Sequence, residues 1–167
     1  MLSAAFCVSP KTEKLDNSKR GYKMMKLISK FTLPIMIVTI LYLLISGNLI
    51  SRSPFVITVQ LFAIALSVWA RQSFQSDQFS IDAEPKEGQL LLRGPYQYIR
   101  HPMYASALIL IWSGIGAHIS PVNLVIGALI TIFVAIRIVI EEQYLRTFYP
   151  DYETYSNRTK RIIPLII

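Results

Sequence analysis

Four stretches of this sequence are long, apolar and almost free of charge, at about residues 31–50, 54–71, 102–118 and 121–140. A helix needs about 20 apolar residues to cross the hydrocarbon core of a bilayer, so the pattern predicts an all-α, polytopic membrane bundle with four transmembrane helices. Composition agrees: 53% of residues are hydrophobic and 16% charged, with a mean hydropathy of +0.43, too apolar for an ordinary soluble domain. The 167 residues leave room for one embedded domain, 31–167, behind a basic and partly disordered segment, 1–30. The first apolar run is not read as a signal peptide. It follows some 30 polar residues, is too long for an h-region, and is followed by no small-x-small cleavage site. Met24 or Met25 is an alternative start, and no candidate functional residue precedes them.

The basic residues orient the bundle. Seven of the 17 Lys and Arg precede the first span, four lie between spans two and three, and five lie at or after the end of span four. Only Arg52 falls on the other side. The positive-inside rule then places both termini and the loop around residues 71–100 in the cytoplasm. All ten carboxylates fall on that same side, so any polar chemistry is expected there. The net charge of +7 does not signal nucleic acid, because the cations flank apolar runs instead of forming a patch interleaved with aromatics.

Several chemistries drop out early. Cys7 is the only cysteine and His101 and His118 the only histidines, so neither an internal disulfide nor a multi-histidine metal cluster is expected. No GxxxxGK[ST] or GxGxxG pattern occurs, and Gly114-Ile115-Gly116, lying among apolar residues, reads as a turn or a close helix contact. What remains lies at one end of a helical hairpin. Spans three and four, turned at Ser113–Pro121, bring Arg100-His101-Pro102-Met103-Tyr104 back beside Arg137 and Glu141-Glu142. Pro102 suits a first helical turn, and Arg137 and Glu141 share a face at i, i+4.

Ionisable groups at the hydrocarbon boundary are expensive and tend to be functional. The bland reading is that Arg137 snorkels, the glutamates are solvated and Arg100 is an anchor; spacing alone does not decide between the two. Beyond span four, Leu145, Phe148, Tyr149, Tyr152 and Tyr155 recur at steps of three or four, predicting an interfacial amphipathic helix.

The stretch from Gly94 through Pro95, Tyr96, Arg100, His101 and Pro102 to Tyr104, then Arg137 with Glu141-Glu142, then Tyr152-Glu153-Thr154-Tyr155 and Arg161-Ile162-Ile163-Pro164, resembles the isoprenylcysteine carboxyl methyltransferase and phospholipid methyltransferase superfamily. The resemblance covers roughly residues 85 to 165. It implies an integral membrane methyltransferase that uses S-adenosyl-L-methionine on a lipophilic acceptor reached from the bilayer. Carried over by position, Gln89, Leu90, Leu91, Tyr96, Arg100, His101, Pro102, Met103, Tyr104, Glu141 and Glu142 would hold the cofactor. Arg137 would face the substrate, and Arg137, Glu141 and His101 would form the catalytic group. Gly88 stands where the family often has His, and Ser106 where it has Gly.

Methyl transfer suits these residue types. The cofactor carries an ammonium, a sulfonium and a carboxylate, so its pocket needs both signs of charge. Holding nucleophile and methyl group together in a dry site does most of the catalytic work. An anionic acceptor would need no general base, and Arg137 could orient one. Two other readings stand beside this one: a membrane sterol reductase using NADPH, which shares parts of the same C-terminal pattern, and a non-catalytic membrane scaffold. The Glu141-Glu142 pair favours a cationic cofactor over a phosphate-rich one.

Overall fold

The computed structural model describes residues 31–32, 34–73 and 92–162. The predicted basic segment 1–30 and the candidate cofactor residues Gln89, Leu90 and Leu91 lie outside the described residues, as do Ile163 and Pro164. The described chain forms α1 (Pro34–Ile45), α2 (Pro54–Gln72), a 3-10 turn (Gly94–Gln97), α3 (Pro102–Ala117), α4 (Pro121–Phe148) and α5 (Tyr152–Arg158). No strand occurs among the described residues, only an isolated parallel bridge between Ile99 and Lys160.

Local sequence sets most of the helix ends. Pro54, Pro102 and Pro121 open α2, α3 and α4, where a missing N–H leaves nothing unpaired. Ser120 adds a cap to α4, its hydroxyl accepting from the Asn123 N–H at 3.1 Å. The first apolar run does not stay helical to residue 50 as expected. Gly47 takes φ +70°, its N–H donates to Leu44 O and the Asn48 N–H donates to Leu43 O, the paired bonds of a glycine-terminated helix. The chain then turns under α3. Gly114 makes room for it, since a Cβ there would lie 3.0 Å from both Asn48 O and Leu49 Cα. Gln60 of α2 secures the turn by donating to Leu49 O at 2.6 Å.

α3 runs to Ala117, close to the end of the expected span 102–118, and the hairpin turn, expected over Ser113–Pro121, is only residues 118–120. α4 does not stop at Ile140; it runs 28 residues without a break and carries Tyr144, Leu145 and Phe148 within it. The expected amphipathic helix is therefore two pieces, the end of α4 and the 7-residue α5, separated at residues 149–151. Good helix formers from Glu141 to Arg146 keep α4 going past the apolar run.

Met36, Leu43 and Leu49 meet Ile111 and Ile115 of α3 and Ile130, Val134 and Ile138 of α4 in one buried cluster. Outside it the surface is unusually apolar. α2 and α4 are each long and apolar enough to cross a membrane, and only 11% and 33% of their most apolar stretches are buried. The core helix of a soluble domain would have that surface covered. α1 and α3 are apolar but shorter.

Candidate active site

The site is built where α3 begins and α4 leaves its apolar stretch. The chain reaches it through Gly94, which adopts φ +59° with Ser73 and Trp69 packed where a side chain would be. That conformation lets the 3-10 turn place Tyr96 inward, buried, with its carbonyl accepting from the Tyr155 hydroxyl at 2.8 Å. Gly94→Ala would put a Cβ both into the left-handed region and against Ser73. A loss of about 1–3 kcal/mol is the expected result, measured by thermal unfolding in detergent.

Glu141 and Glu142, one residue apart, face different partners because successive helical residues are turned by about 100°. Glu142 is the centre of a buried clamp, its side chain 3% exposed. Arg100 Nε donates to Glu142 Oε1 at 2.8 Å and Arg161 Nε donates to Oε2 at 3.1 Å. Arg100 Nη1 also donates to the carbonyls of Ser156 and Thr159, at 2.6 and 2.5 Å. The backbones continue the pairing. Arg100 N–H donates to Lys160 O, His101 N–H to Arg161 O, and Lys160 N–H to Tyr98 O. Burial alone would raise the Glu142 carboxyl; Arg100 and Arg161, which both bond it, oppose that, and the group is held at about 2.

Glu141 is the more open carboxylate, its side chain 24% exposed. It accepts from the Tyr104 hydroxyl at 3.0 Å, and Arg137 Nε lies 3.9 Å from the same Oε2. The Arg137 guanidinium lies over the Tyr104 ring, 5.3 Å from its centre. His101 stacks on Tyr104 with ring centres 5.6 Å apart. His101 Nε2 is buried and lies 3.6 Å from Glu142 Oε1, too far for a good hydrogen bond, and has no hydrogen-bond partner among the described residues. The Tyr152 hydroxyl is buried in the same state. Burial pushes the phenols of Tyr96 and Tyr152 well above their ordinary range and that of Tyr155 up to about 12, so these groups stay protonated.

The structure thus gathers Tyr96, Arg100, His101, Tyr104, Arg137, Glu141 and Glu142 around one end of the α3–α4 pair. Pro102 is buried beneath them as the first residue of α3, and Met103 follows it half-buried. Ser106, in place of the family's glycine, is buried and donates to Met103 O at 2.8 Å, so the small polar residue is accommodated. Sequence reasoning missed the contributions of Ser156, Thr159 and Lys160. The only available signal was the basic cluster after α5, which carries no information about a partner 56 to 60 residues away.

Among the described residues the elements are helical, with apolar outer faces and a charged cluster at one end of α3 and α4. A family model, phospholipid methyltransferase, matches residues 53–152, which is 100 of the 167 residues, from the cap of α2 to the start of α5. The chain belongs to that family of membrane methyltransferases, within the superfamily its sequence resembles. No curated protein and no solved structure matches it.

Proposed function

We propose that this protein transfers a methyl group from S-adenosyl-L-methionine to a lipophilic acceptor, at the cytoplasmic face of a membrane that α1 to α4 cross. Membership of the phospholipid methyltransferase family supports the reaction class, and the distribution of Lys and Arg supports the orientation. α3, with 16 residues, extends about 24 Å and suits the thin part of a bundle whose polar end reaches the interface.

The observation that carries the reading is the pairing of an accessible carboxylate, Glu141, with buried polar atoms whose hydrogen bonds are unfilled. A carboxylate bonded to Tyr104 is a ready acceptor for the cofactor's ammonium. His101 Nε2 and the Tyr152 hydroxyl have capacity for polar groups of a ligand. The residues present therefore fit a cofactor with both charged and hydrogen-bonding groups. When bound, that cofactor supplies the electrophilic methyl group. Arg137, held by Tyr104 and Glu141, then stands where it can orient an acidic acceptor. Arg100 and Glu142 are committed to each other and to the α5 segment, and their part is to hold the first turn of α3 in place.

The test is calorimetric titration of the detergent-purified protein with S-adenosylhomocysteine, with NADPH titrated in parallel. Saturable binding of the homocysteine analogue alone is the expected result. Binding of NADPH alone would overturn the reading in favour of a reductase, and binding of neither would leave a scaffold.

A further inference from the structure

A cavity of about 680 Å³ lies between α2, α3 and the 3-10 turn. Leu66 and Trp69 of α2, Ile99 after the turn, and Leu108, Ile109 and Trp112 of α3 form much of its wall. The α3 positions recur at helical spacing from Ala105 to Trp112, so the cavity follows the helix axis for about 10 Å. A lipid chain in a bilayer runs in the same direction. One end of the cavity lies at Pro95, Ile99 and Ile162, the immediate neighbours of Tyr96, Arg100 and Arg161. The other end lies at Phe62, Trp112 and Thr131.

Trp112, itself 39% exposed, stands at that end and is tethered there. The Trp112 indole N–H donates to Thr131 Oγ1 at 3.0 Å, and the Thr131 hydroxyl donates to Gly127 O at 2.7 Å. Gly127 seats the ring, because a Cβ there would come within 3.2 Å of Trp112 Cζ2. These polar groups satisfy one another and offer nothing to a headgroup. A chain with a polar end therefore has one orientation available, with the polar end toward His101 and the tail toward Trp112.

We infer that this cavity takes one hydrocarbon chain of the methyl acceptor, and that Trp112, tethered to Thr131, sets the length of chain it accepts. The inference rests on the methyltransferase reading for the word acceptor, but the binding itself needs neither cofactor nor turnover. A volume of this size is in the range of sites for small apolar ligands.

The experiment uses the full chain in nanodiscs and a phosphatidylethanolamine carrying a photoactivated diazirine near either the carbonyl or the methyl end of one acyl chain. Labelled residues are mapped by mass spectrometry. The carbonyl-proximal probe is expected on Ile99 and Ala105, and the distal probe on Phe62 and Trp112. Each should exceed labelling of the outward α4 positions Val125 and Leu129 by about tenfold. Even labelling across the outward faces would overturn the cavity as a chain site.

Unlabelled competitors from lauroyl to stearoyl then test the gauge. In the wild type their potency should stop rising once the tail meets Trp112. In Trp112→Ala, and more mildly in Thr131→Val, which removes the tether without opening a hole, the rise should continue to longer chains. An unchanged limit in both variants would overturn the role of Trp112 while leaving the cavity standing. Loss of S-adenosylhomocysteine binding alongside normal labelling would refute the reaction and not the chain site.

Discussion

Replacing Glu142 with alanine is expected to lower stability by about 3–5 kcal/mol, the usual effect of removing one partner from a buried ion pair. Arg100 would be left with a side chain only 9% exposed and no carboxylate. Arg161 would lose its bond as well, and with it the pairing that ties the α5 segment to the start of α3. Thermal unfolding in detergent measures the loss, and limited proteolysis around residues 156–161 shows whether that segment detaches first. Glu142→Gln keeps the size and one acceptor, and should fall between alanine and wild type. The acid response has a definite sign. Glu142 has an ordinary value of 4.5 and is held at about 2 in the folded protein, so the unfolded chain binds the extra proton between those values. Its contribution is complete above about 4.5 and disappears as the pH falls toward about 2. The wild type should therefore lose more stability across that window than Glu142→Gln does. Equal slopes would show that the carboxylate is not held by its partners.

Glu141→Gln should separate binding from folding. The amide is nearly isosteric and still accepts from Tyr104, so the fold is retained, with a change in stability well below that of Glu142→Ala. Affinity for S-adenosylhomocysteine is expected to fall about 30-fold or more, the effect of removing one partner from a charge-assisted contact. Turnover, once an acceptor is found, should fall at least as far. Arg137→Lys is a useful companion because it retains charge but loses the planar group over Tyr104. If Glu141→Gln binds the analogue as well as the wild type, the carboxylate does not hold the ammonium and the cofactor pocket lies elsewhere in the chain.

Elements opened by proline could be read to within a residue, because Pro54, Pro102 and Pro121 make each helix start a local matter. Helix ends were harder. Apolarity continues to Ile50, yet α1 stops at Ile45 because Gly47 takes a left-handed conformation that hydropathy does not register. The reverse holds for α4, where the apolar run ends at Ile140 but the backbone continues to Phe148. The meeting of the Arg100–Tyr104 stretch with Arg137 and the glutamates followed from folding a hairpin back on itself. Which glutamate pairs with which cation did not follow. Arg100, read as a cofactor ligand or an anchor, joins Glu142 to backbone carbonyls of Ser156 and Thr159, through contacts that no periodicity encodes.

The unbroken course of α4 makes angular phase a property of the whole helix. Gly127 must face Trp112, Thr131 must reach the indole, Arg137 and Glu141 must both meet Tyr104, and Glu142 must meet Arg100. All five are fixed relative to one another by residue count, at about 100° per position, with no loop between them to absorb an error. Many side chains along the outer face of α4 can change among apolar types without turning any of these groups. One residue more or less between Gly127 and Glu142 would turn the seat of the tryptophan away from the carboxylates, and the two ends of the molecule would no longer describe the same enzyme.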